Sequence, residues 1–159
     1  MWTNFFIATT GASAALAGLV IVAISVNIAR ILEFPHLPAR SAATIARLIL
    51  ILASSTAALI PEPNYALGVE ITVFTVAAWW LEIRSNRRAF RAHAEIGRPR
   101  FEAMLEALLG EVQLLPFLVG AMLLVASRPS GYYCIAAGVI AVFLFSTLNV
   151  WVLLVEILR

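Results

Sequence analysis

The chain has 159 residues, of which 62% are hydrophobic and 13% charged, with a formal net charge of +2. A soluble domain carries about 25% charged residues, so too little polar surface is present to clothe a water-soluble globule. The bilayer must solvate most of the chain.

Five apolar stretches follow one another, at about residues 5–29, 42–60, 65–83, 107–127 and 132–158. Each approaches the ~20 residues that cross a hydrocarbon core about 30 Å thick. No water is available there for backbone groups, so helices are expected. The runs do not alternate as barrel strands do. The fold expected is an all-α membrane protein, a bundle of five transmembrane helices in one domain covering 1–159. The start, Met1-Trp2-Thr3-Asn4, lacks the positive n-region of a signal peptide, so the first stretch is read as a retained span.

The first stretch carries a small-residue stripe, Gly11, Ala15, Gly18, Val22, Ser25 and Ala29, which lets a neighbouring helix approach closely. Asn27 lies nearly opposite, with Thr9 and Ser13. Two faces that want protein contact point to a central position or to an oligomer. The second stretch stops at Pro61-Glu62-Pro63-Asn64. In the third, Gly68, Thr72, Thr75, Trp79 and Glu82 share a face, and Glu70 points away from it.

Residues 84–106 form the expected soluble loop, and its first half is basic. Arg84, Arg87, Arg88 and Arg91 should meet anionic headgroups, each contributing about 1 kcal/mol of attraction. Pro99 is a natural early helical position, and Phe101, Met104, Leu105 and Leu108 recur at helical spacing, so a helix is expected to run on into the fourth stretch as one rod. Glu111 and Gln113 lie one to two turns inside that stretch, and Pro116 should kink it. In the fifth stretch Gly138 would admit a neighbour, while Asn149 and Glu156 lie along the same stripe. Glu156 is placed to reach water, Arg30 or Arg159.

All eleven basic residues are arginine. Five spans put ten of them on one side: Arg30, Arg40 and Arg47, the six between Arg84 and Arg100, and Arg159. Only Arg128 is opposite. By the positive-inside rule the N-terminus is outside and the C-terminus cytoplasmic.

No catalytic chemistry is legible. Both histidines, His36 and His93, lie in expected loops, which disfavours haem between helices. No cluster has metal-ligand spacing, no phosphate loop occurs, and no nucleophile motif is present. The lone Cys134 excludes an intramolecular disulfide. No enzyme activity, cofactor, metal or nucleic-acid partner is expected.

The stretch from Gly18 to Asn27 with Arg30-Ile31-Leu32, then Leu37-Pro38-Ala39-Arg40, and the ending from Leu148 to Arg159, resemble a largely uncharacterised family of small multi-span bacterial inner-membrane proteins. Some members are described as modulators of a membrane-anchored AAA protease. The resemblance implies a bacterial plasma-membrane location and no catalytic residues.

Two functional expectations follow. One is a structural or regulatory membrane protein that binds itself or another membrane protein. The other is a small homo-oligomeric channel or transporter, with Asn27, Glu70, Glu111, Gln113, Asn149 and Glu156 as the intramembrane polar candidates.

Overall fold

The structure is a computed structural model describing residues 2–33, 37–96, 104 and 108–158. Among these every regular element is helical: α1 (Trp2–Val26), α2 (Ile28–Glu33), α3 (Leu37–Ala57), α4 (Asn64–Ile96), α5 (Leu115–Val125) and α6 (Gly131–Leu158). Four helical segments are long and apolar enough to cross a membrane: Trp2–Val26, Asn64–Arg87, Leu108–Val125 and Gly131–Trp151. The apolar part of α3, Ser41–Ala57, is shorter.

The helices differ from the expected stretches where local chemistry intervenes. The first stretch breaks at Asn27, whose side-chain amide donates back to the Ala23 carbonyl at 2.9 Å, and α2 starts beyond it. Such a local bond competes with the helix ladder. The segment expected as a loop from residue 84 is helical as far as Ile96. Arg, Ala and Glu are good helix formers, and no Gly or Pro intervenes before Gly97. At about 1.5 Å per residue, α4 is therefore about 50 Å long. The helix expected to start near Pro99 lies mostly outside the described residues.

The fourth stretch is kinked, as Pro116 leads one to expect. Residues 108–112 are helical, Gln113 and Leu114 form a turn, and α5 follows. Pro116 has no N–H to give the Val112 carbonyl, and the chain tightens so that Leu114 N–H donates to Glu111 O at 3.0 Å. After α5, Ser127 adopts a left-handed φ of 56°, and Arg128 N–H closes on the Leu123 carbonyl at 2.8 Å, turning the chain into α6.

The helix with the shorter apolar part sits at the centre. α3 packs against α1, α4 and α6, while α5 closes the ring between α4 and α6. Phe6, Leu50, Ile51, Ile71, Leu114, Phe117, Leu124 and Ile135 form the apolar core. Close backbone approach needs glycine at two places. A Cβ on Gly68 would lie 2.7 Å from Val125 N and 2.8 Å from Ala121 O. A Cβ on Gly120 would lie 2.8 Å from Gly131 O.

One end of the bundle is tied by aromatic rings. Trp2 stacks on Tyr132 at 5.8 Å and meets Tyr133 edge-on at 4.8 Å. Tyr132 Oη donates to Asn64 Oδ1 at 2.9 Å. These contacts pin the starts of α1, α4 and α6 at one level, the Trp2 end. Arg84 and Arg87 belong to the opposite end.

Candidate functional site: a buried ion pair between central helices

α3 combines a central position with polar content. Ser41, Thr44, Arg47, Ser54 and Ser55 are all buried on it. In a bundle whose outer surface is apolar, these groups turn to the other helices or to their own backbone. Ser55 Oγ meets Thr9 Oγ1 of α1 at 2.9 Å, the contact that uses one of α1's two polar-or-small faces.

Arg47 presents the largest electrostatic problem. A charge held among apolar helices costs several kcal/mol unless it is paired and hydrogen-bonded. Its partner is Glu82 of α4. Arg47 Nε donates to Glu82 Oε2 at 3.2 Å and Nη2 donates to Oε1 at 2.9 Å, a two-pronged pair. The side chains are 6% and 2% exposed, so water hardly screens the attraction.

The two helices bring these residues together by antiparallel counting. From Asn64 to Glu82 is 18 residues, about 27 Å along α4; from Pro61 back to Arg47 is 14 residues, about 21 Å. Helical side chains lean towards their own N-terminus. Arg47 thus reaches away from the Trp2 end and Glu82 reaches towards it, which closes the gap.

A third segment covers the pair. A Cβ on Gly110 would collide with Glu82 Oε1 and would lie 3.5 Å from Arg47 Nη2. Only glycine lets the short helix at 108–112 lie directly over the carboxylate. One turn further on, Gln113 is 4% exposed, and its amide donates back to the Leu109 carbonyl at 2.7 Å. Arg47 Nη1 and Gln113 Oε1 are both buried and, among the described residues, without a hydrogen-bond partner. The side-chain hydroxyls of Ser41, Ser54 and Ser146 are in the same position.

The candidates read from the sequence scatter. Asn27 is half-buried and bonded to its own helix. Glu70 lies near the Trp2 end beside Glu62; partial burial, then the Glu70 charge and a hydrogen bond shared with it, push the Glu62 carboxyl above 4.5. Glu111 and Asn149 are half-buried. Among the polar candidates whose side chains are described, Gln113 alone is buried, one turn along from Gly110. The side chain of Glu156 lies outside the described residues, as do those of Arg88 and Arg91. Gly138 packs on a ring: a Cβ there would lie 2.8 Å from Phe117 Cδ2 and Cε2. Gly11 and Gly18 have nothing within 4 Å. Arg84 and Arg87 are exposed, and Arg84 lies over the Trp80 ring at 5.3 Å from its centroid.

The sequence reading overlooked the ion pair. Arg47 counted as a topology marker and Glu82 as one member of a helix face. The signal was present: two opposite charges inside consecutive apolar stretches, at comparable distances from the tight turn that joins them. Among the described residues no cluster of three or more metal-ligating side chains occurs. The chain matches no protein-family model, no curated protein and no solved structure.

Proposed function

We propose that this protein is a structural or regulatory integral membrane protein of five spans that associates with copies of itself through α1. Its arginine-rich end faces the cytoplasm, with the N-terminus outside, in the inner membrane of a bacterium as the resemblance implies. The observation that carries the reading is the division of labour on α1. Thr9, Ser13 and Val20 are buried against the bundle, while Gly11, Ala15, Gly18, Val22 and Ser25 on the other face are exposed. Such a stripe offers close helix contact, and this chain leaves it open. The Arg47–Glu82 pair then serves to fix α3 against α4 beneath the 108–112 segment, so that the α1 face is presented by a rigid body.

The test is energy transfer between donor- and acceptor-labelled copies in liposomes at falling protein-to-lipid ratio. Transfer that persists on dilution and is lost in Gly11→Leu/Gly18→Leu supports the reading. Transfer that falls with dilution as for freely mixing monomers contradicts it.

A second reading, a small channel or transporter, is favoured by one observation. Arg47 Nη1, in the ion pair itself, and Gln113 Oε1 are buried polar atoms without described partners. Ionisable groups inside a membrane commonly mark ion or proton pathways. Flux across liposomes separates the two readings.

A further inference from the structure

A groove of about 560 Å³ runs between α3 and α4 on the outer surface of the bundle. Ala42, Ala46 and Ile49 of α3 and Leu81 of α4 give it an apolar bed, and Arg84 and Ser85 stand at one end. The volume falls within the ~300–1,000 Å³ typical of small-molecule sites. It is distinct from the open face of α1 and from the buried ion pair.

Two observations say what fits it. The first is depth. Asn64 is held at the Trp2 end by Tyr132, and Arg84 follows it by 20 residues, about 30 Å along α4. That distance equals the hydrocarbon thickness, which sets Arg84 at the level of lipid phosphates on the far side. The second is charge. Arg84 is exposed, and its guanidinium lies over the Trp80 ring, itself 58% exposed. A guanidinium seated over an indole through a cation–π contact keeps N–H donors available for a phosphate. Arg87, exposed one turn beyond, adds a second positive charge.

The geometry points to a site for one anionic glycerophospholipid, its phosphate on Arg84 and an acyl chain lying along the alanine-lined bed between α3 and α4. Alanines at positions 42 and 46, one turn apart, keep the bed low; larger side chains would fill it. A zwitterionic lipid of the same chains shares the apolar contacts but not the net negative charge. The occupant is thereby selected by headgroup and seated by chain.

The full chain, purified in a mild detergent and supplied with equal amounts of phosphatidylglycerol and phosphatidylcholine of matched chains, is examined by native mass spectrometry. Phosphatidylglycerol should be retained in preference. Arg84→Gln should lower that preference about five-fold, the factor that ~1 kcal/mol per arginine represents. Ala42→Phe, at an exposed position that the fold does not depend on, should lower retention of both lipids. An excess of glycerol phosphate should not displace the bound lipid. Equal retention of the two lipids by the native chain overturns the proposal. So does phosphatidylglycerol retention unchanged in both variants. A dimer that Ala42→Phe dissociates without altering lipid retention also overturns it, because a second copy then fills the groove.

Discussion

Arg47→Met is the most informative single substitution. Both members of the ion pair are almost wholly buried, at 6% and 2% exposure, and Gly110 lies over the carboxylate. Removing the guanidinium leaves the Glu82 carboxylate buried with both oxygens stripped of their charged donors. Breaking a buried pair from one side costs about 3–5 kcal/mol. Glu82→Leu should cost a similar amount, because Arg47 Nη1 already lacks a described partner and Nε and Nη2 would join it. The double variant Arg47→Met/Glu82→Leu removes both charges. It should recover most of the loss and fall within about 1–2 kcal/mol of the native chain, because apolar replacement of a whole buried pair is often neutral. The coupling energy from the cycle should therefore be several kcal/mol, well outside the range of independent sites. Reversible unfolding in mixed micelles, followed by far-ultraviolet circular dichroism, gives all four free energies. If the two single losses simply add in the double variant, Arg47 and Glu82 do not act as a coupled pair.

The glycines separate into two classes that thermal unfolding distinguishes. Gly131→Ala, whose Cβ would collide with Gly120 O and lie 2.8 Å from Leu124 Cγ, should destabilise by about 1–3 kcal/mol as overpacking does. Gly11→Ala, whose Cβ would meet nothing within 4 Å in the single chain, should instead gain up to about 1 kcal/mol from helix propensity when measured on the dissociated monomer. Gln113→Leu removes a buried amide oxygen that has no described partner, and should raise stability by about 1–3 kcal/mol in the same assay. The Glu62 carboxyl, raised above 4.5 by partial burial and by Glu70, binds its proton more tightly in the folded chain. Its contribution is thus complete below 4.5 and is lost as pH rises through the folded value. A melting-temperature profile of Glu62→Gln should lack that decline.

The helical architecture was legible because apolar runs near 20 residues admit almost no other form in lipid. The break at Pro116 was legible for a local reason, the missing N–H, although the turn itself falls three and two residues earlier, at Gln113 and Leu114. The extension of α4 to Ile96 was missed because charge suggested a loop, whereas arginine and alanine propagate a helix equally well in water. The central place of α3 was also hidden. Periodicity within one helix shows which face is polar, but not how many neighbours surround it. The ion pair needed a second kind of counting, depth measured from a shared turn across two helices. The polar candidates do not come together as one group, and Asn27 and Gln113 place their amide donors on their own helices. A side chain that bonds back to its own backbone gives no sequence signal that separates it from one reaching across.

The buried polar groups hold the bundle together and do not conduct, if the structural reading of this protein is right. Proton and ion flux across liposomes containing the native chain, under imposed voltage and pH gradients, tests this directly. Flux should be no greater than in protein-free liposomes, for the native chain and for Glu82→Gln alike. Flux through the native chain that Glu82→Gln abolishes would contradict it.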